Sequence, residues 1–176
     1  MPNLPHRSPD EPTNEAILRG AHEGFVEDID VNLGLIRKRM RVPDLIVKKI
    51  TVGTENKAEV YYFYLARFAN QNNLADLERK LEKMKDKANG LYASGQLNDF
   101  IEDSPYSPFP QIMNTERPHR ILANLTEGKI VLMTDYSPTA FVAPVTLFSF
   151  YQSPDDFNSR VIVGSFYRMV RVVSFL

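Results

Sequence analysis

The side chains in this chain that could carry chemistry are three histidines, some adjacent acids and a run of tyrosines. A metal-assisted or hydrolytic reaction needs imidazoles, carboxylates or thiolates that converge. His6, His22 and His119 are the three histidines, and no two of them stand at a metal-ligand spacing. There is no cysteine, which removes disulfides and thiolate metal sites and permits a reducing compartment. Glu102–Asp103 and Asp155–Asp156 are adjacent acids whose ordinary uses are loop solvation and helix capping. Neither a G-x-S-x-G elbow, a G-x-x-x-x-G-K-[ST] loop nor a G-x-G-x-x-G fingerprint occurs. General acid–base catalysis needs groups converging in a cleft, and no spacing here promises that. The reading is a non-enzyme with no cofactor and no metal.

Two other clusters suit binding. Tyr61, Tyr62 and Tyr64, in the run A-E-V-Y-Y-F-Y-L, could stack a small molecule such as an amino acid or a sugar, although a packed strand uses the same residues. Arg37 to Arg41 reads R-K-R-M-R, which suits either the negative end of a helix dipole or an anionic contact, lipid headgroup or partner protein.

The elements that must position these residues follow from periodicity. The 176 residues are 43% hydrophobic, enough for a real core. A net charge of -1, from 21 basic and 22 acidic residues, argues against a nucleic-acid partner. No run approaches the roughly 20 apolar residues of a spanning helix. Met1 to Gly20 shows no signal-peptide pattern, and residues 1–14, with prolines at 2, 5, 9 and 12, read as a disordered tail.

Phe25, Ile29, Leu33, Ile36 and Met40 make one helical stripe, acidic early and basic late, stopped by Pro43. Leu45–Val52 and Ala58–Leu65 predict a hairpin around G-T-E-N-K. Leu74, Leu77, Leu81, Met84 and Ala88 mark a second amphipathic helix with a mixed-sign outer face, and Leu97–Ile101 a short one. Pro105, Pro108 and Pro110 enforce an extended connection whose P-x-x-P spacing also fits polyproline recognition. Pro118 suits the first turn of a helix that ends at Gly128. Ile130–Met133 and Ala140–Ala143 predict a second hairpin. The class expected is α/β (α+β): a small mixed β-sheet of two hairpins, covered by amphipathic helices, over residues 15–152.

Residues 153–176 predict a further helix. Ser153 suits the N-cap, Pro154 the first turn, and Asp155 and Asp156 its positive end. Beyond them the only charges are Arg160, Arg168 and Arg171. Without acids, such a helix suits a juxtamembrane position against anionic headgroups as well as it suits packing on the sheet.

The words G-A-H-E-G-F-V-E-D, N-L-G-L-I-R-K-R, S-P-F-P-Q, T-E-R-P, E-G-K-I-V-L-M-T-D, A-P-V-T and F-Y-Q-S-P-D-D-F occur in this order. Together they resemble the GerA family of spore germination proteins, the A subunits of nutrient germinant receptors, over roughly Asn14 to Leu176. The resemblance implies the second half of the family's N-terminal cytoplasmic domain, without the first subdomain or the membrane helices. It also places the last helix beside the membrane. It implies a non-enzymatic signalling and assembly role on the cytoplasmic side of the spore inner membrane. The partners implied are B- and C-type receptor subunits, further copies of the A subunit, and the membrane surface. The alternative is direct binding of an amino acid or sugar germinant. Glu23, Gly24, Phe25, Asn32, Arg37, Glu116, Arg117 and Pro118 match family motif positions and are candidates for structural or interface roles. Val31 stands where the family usually has threonine, and His22 where it has arginine.

Overall fold

The structure is a computed structural model that describes residues 23–53, 57–87, 96–102 and 111–145. The tail 1–14, the prolines at 105, 108 and 110, and the C-terminal helix expected over 153–176 with Arg160, Arg168 and Arg171 lie outside the described residues.

Helix α1 spans Ile29–Arg39, and the Asp28 carboxylate caps it by accepting from the Asp30 and Val31 amides. Strands β1 (Leu45–Val52) and β2 (Ala58–Leu65) pair from Leu45↔Leu65 to Val52↔Ala58, the hairpin that the alternation predicts. Helix α2 (Gln71–Lys87) and the short α3 (Gln96–Ile101) follow. Strand β3 (Met113–Thr115) leads into α4 (Pro118–Thr126), which opens on proline as expected. Strands β4 (Ile130–Thr134) and β5 (Ala140–Ala143) form the second hairpin.

The five strands lie in the order β1-β2-β4-β5-β3. Every pairing is antiparallel, so the α+β class stands while the sheet is not mixed. The reason is topological: each hairpin turns back on itself, and the two join across Tyr62↔Leu132 in opposite directions. A parallel pair would need a crossover helix between strands running the same way. Phe25 also differs from expectation, since it stands in the extended segment before α1 and not on the helix.

Helices cover both faces of the sheet, so strand residues alternate between two cores. One core joins Tyr62, Tyr64, Leu132 and Phe141 to Leu74, Leu77, Leu81 and Met84 of α2 and Leu97 of α3. The other joins Phe63, Leu65, Val131 and Val142 to Ile29, Leu33 and Ile36 of α1 and Ile121 and Leu125 of α4. Between α4 and β4, Gly128 has φ +81, and a Cβ there would stand 2.4 Å from the Phe68 carbonyl oxygen. Only glycine turns this corner without moving backbone.

Candidate functional site

The motif residues 23–25 and 116–118, far apart in sequence, meet on the α1/α4 side of the sheet. The Phe25 amide donates to the Glu116 carbonyl at 2.9 Å, which ties the segment before α1 to the segment before α4. Phe25 is buried and packs in the same core as Ile121 and Leu125.

Asn32 holds the segment from the other side. It lies one turn into α1 and is fully buried. Its Oδ1 accepts from the Val26 amide at 2.9 Å, and its Nδ2 donates to the Val26 carbonyl at 2.6 Å. One amide side chain therefore satisfies both backbone groups of a buried residue outside any helix or strand. Glu23, at the start of the segment, accepts from Arg39 Nη2 at 2.6 Å. That hydrogen bond, with the Arg39 charge, holds the Glu23 carboxyl below its ordinary pKa.

The turn between β4 and β5 closes the junction. Tyr136 has φ 64, and its amide donates to the Glu27 carbonyl at 3.0 Å. Asp135 beside it is pushed above the usual carboxylate pKa by burial, with the negative charges of Glu59 and Asp28 adding to the effect and the Tyr136 and Ile29 amides opposing it. Segment 23–28 is thus fastened to α1, to α4 and to this turn.

Among the described residues Arg117 is the largest fully enclosed side chain, at 0% exposure, directly before Pro118 of α4. Its amide donates to Thr115 Oγ1 at 3.2 Å, which links α4 back to β3. Pro118 is buried in the first turn of α4. Arg37 stands apart from the junction: it is exposed on the outer face of α1. The structure therefore brings together Glu23, Gly24, Phe25, Asn32, Glu116, Arg117 and Pro118, and leaves Arg37 facing outward. Arg39, Val26 and Asp135 also belong to the junction, and the sequence holds them only within longer motifs, without singling them out. A signal existed for the clamp, because Asn32 sits beside Ile29, Leu33 and Ile36 on an otherwise apolar helix side.

The junction's contacts are hydrogen bonds to backbone groups and one ion pair. Among the described residues no group of three or more His, Cys, Asp or Glu side chains could hold a metal. A groove of about 140 Å³ lies on the opposite side of the sheet, between α2, the end of α3 and the ends of β4 and β5. Asn73, Asp76, Lys80 and Gln111 give it polar groups, and Leu77, Ile101 and Pro144 apolar walls. Lys80 Nζ lies 2.9 Å from the Asp76 carboxylate and donates to the Ile101 carbonyl at 2.8 Å. Tyr61, Tyr62 and Tyr64 do not line this groove. Tyr62 and Tyr64 are buried under α2, and the Tyr62 hydroxyl donates to Glu78 at 2.9 Å. Among the described residues no helix is long and apolar enough to cross a membrane.

The family model for the Bacillus/Clostridium GerA spore germination protein matches residues 1–176. Spore germination protein A1 of Bacillus subtilis is 40% identical over 96% of this chain and 34% of its own length. GerQA of Bacillus cereus is 37% identical over 89% of this chain and 31% of its own length. The chain therefore spans about a third of the curated relatives it matches. The crystal structure of the N-terminal domain of the A subunit of the Bacillus megaterium spore germinant receptor GerK3 superposes with a TM-score of 0.54 at 30% identity, covering 70% of this chain and 97% of that one. This chain belongs to the GerA family of spore germination proteins.

Proposed function

We propose that this chain is a non-enzymatic signalling and assembly domain of a germinant receptor A subunit, acting in nutrient-triggered spore germination. The observation that carries the reading is the junction. The family-motif residues 23–25, 32 and 116–118 gather where a segment is tied to α1, to the run before α4 and to a turn. Such an arrangement transmits a displacement of one helix to the other, as a packed two-helix element does in a switching protein. Likeness to the A-subunit domain of a germinant receptor supports a place in a receptor complex; B- and C-type subunits as its partners, and the cytoplasmic side of the spore inner membrane, are part of the same proposal. The domain boundaries at 14 and 152, and the anionic-lipid contact of Arg160, Arg168 and Arg171, belong to the same proposal. Pull-down of cognate receptor subunits by the purified chain tests it. Retention of at least one subunit is expected; none retained, or steady turnover of a metabolite by the chain alone, contradicts it.

The groove favours a second reading, direct binding of a small zwitterion such as an amino acid germinant. The Asp76–Lys80 pair sets a carboxylate and an ammonium side by side in a hollow of small-molecule size. A ligand present at a hundred times its Kd stabilises the fold by about 2.7 kcal/mol. Absence of a thermal shift with amino acid or sugar germinants at high millimolar concentration rejects this reading.

A further inference from the structure

The fold is electrically polar along its strands. One end of the sheet is set by the pairs Leu45↔Leu65 and Ile130↔Ala143, with β2 and β4 joined at Phe63↔Val131. The last turn of α1 leads into the run 40–44 at this end. Arg67, just past β2, ties that run to the run 66–70 through Asp44, and Gly128 packs on the Phe68 carbonyl. Three acids stand here, and each is held by a cation: Glu23 by Arg39 at 2.6 Å, Asp44 by Arg67 at 2.6 Å and Glu127 by Lys129 at 2.8 Å. Arg37, Lys38 and Arg41 remain. All three are exposed, and none makes an ion pair among the described residues. This end therefore carries uncompensated positive charge.

The helix dipole favours cations at the end of α1, but it does not account for Phe68. Among the described residues Phe68 and Tyr136 are the two large apolar side chains left exposed, at 48% and 85%. Phe68 belongs to the basic end, and the Arg67 guanidinium lies over its ring, 5.1 Å from the centroid. An aromatic ring among cations suits the boundary between lipid headgroups and acyl chains. The described chain also leaves the sheet at this end, where the Val145 amide, just past β5, donates to the Gln111 carbonyl. Tyr136 marks the other end, in the β4–β5 turn. Its amide bonds the Glu27 carbonyl, beside Asp28 and Asp30 at the start of α1, and Asp135 precedes it. An anionic surface orients such a molecule with the basic end first.

We propose that the basic end, through Arg37, Lys38, Arg41 and Phe68, seats this domain on an anionic lipid surface, with the β4–β5 turn directed away from it. The inference rests on the lipid contact proposed above for Arg160, Arg168 and Arg171, and adds a separate footing on the globular part. A few cations and one ring bind a bilayer weakly on their own. The footing gains strength when a neighbouring contact of the same chain holds the domain near the surface.

The chain has no tryptophan, so a single introduced one reports each end cleanly. Full-length Phe68→Trp and Tyr136→Trp chains are titrated with vesicles of phosphatidylserine and brominated phosphatidylcholine. The Phe68→Trp emission is expected to shift to the blue and to be quenched by the brominated acyl chains; the Tyr136→Trp emission is expected to stay as in buffer. Arg37→Gln, Lys38→Gln and Arg41→Gln together should weaken binding on the order of a hundred-fold. Arg79→Gln, Lys83→Gln and Lys85→Gln on α2, the same change in net charge, should weaken it far less. Added salt should weaken binding of the unaltered chain. Equal emission changes at positions 68 and 136 overturn the proposal, as do equal losses in the two triple variants. Equal binding to vesicles of phosphatidylcholine alone, or no vesicle binding, also overturns it. Loss in Arg160→Gln, Arg168→Gln and Arg171→Gln together, with none in the Arg37, Lys38 and Arg41 variant, removes this footing and leaves the other. The reverse pattern keeps this footing and removes the other, and the subunit pull-down is independent of both.

Discussion

The two faces of the sheet are stabilised differently, and the contrast separates scaffold from junction. On the α2 face the core is aliphatic and aromatic packing, roofed by paired charges such as Lys48–Glu78 at 2.7 Å. On the α1/α4 face the packing is supplemented by polar ties that hold irregular backbone in place: the Asn32 clamp, the Phe25–Glu116 bond and the Tyr136–Glu27 bond. Packing against a helix tolerates sequence change so long as volume and pattern are kept. A clamp on irregular backbone tolerates very little. The motif residues 23–25, 32 and 116–118 fall on the second face, while Ile130, Leu132 and Ala143, from two other motifs, pack on the first.

The largest change expected is on the scaffold side. Leu81 is fully buried in α2, and Leu81→Ala should cost about 2–5 kcal/mol in urea unfolding, by lost transfer energy plus a cavity. Next comes the clamp. Asn32→Leu leaves the Val26 amide and carbonyl buried without partners, for a loss of roughly 2–4 kcal/mol. The two variants differ in hydrogen exchange under native conditions. Asn32→Leu should release the Val26 and Phe25 amides selectively, whereas Leu81→Ala should leave them protected as well as its global stability allows. Equal release in both would erase the distinction between the faces.

Two smaller effects carry a pH signature. Burial, helped by Glu78, pushes the Tyr62 phenol up to about 12. The neutral phenol is the form the fold favours, so its contribution is complete below the ordinary value near 10 and is lost between about 10 and 12. Tyr62→Phe should cost about 1 kcal/mol near neutrality and flatten alkaline unfolding across that window. Asp135 is shifted in the same direction but with the opposite consequence at pH 7. Its carboxyl is pushed up mainly by burial, so the fold favours the protonated acid and the ionised form at pH 7 is a burden. Asp135→Asn should stabilise by about 0.5 kcal/mol at pH 7, and the gain should vanish as the pH falls below the ordinary carboxylate value. A loss of stability at pH 7 would show that the carboxylate is the favoured form.

Much of this architecture is legible from local pattern, because strands and helices announce themselves by period. Both hairpins, α2 and the proline that opens α4 follow directly from alternation, apolar spacing and proline placement. Strand β3 does not, since three residues after a proline-rich run are too short for a period to show. The start of α1 is misjudged because Phe25 keeps the helical spacing by chance of register, while Asp28 is the residue that caps. An antiparallel sheet with helices on both faces reads, strand by strand, like a mixed one: buried runs look alike whichever way neighbours point. The junction is invisible locally. Nothing near Phe25 foretells Glu116, and Arg39 is one of several adjacent cations until the fold selects it for Glu23.

The central claim is that the α1/α4 face communicates and the α2 face supports. The direct measurement is the affinity of the chain for cognate receptor subunits, taken for Asn32→Leu and for Leu81→Ala at a temperature where both are folded. The account predicts that Asn32→Leu weakens binding at least ten-fold and that Leu81→Ala, although destabilised as much or more, binds as the unaltered chain does. Equal affinities in the two variants, or loss confined to Leu81→Ala, would contradict it.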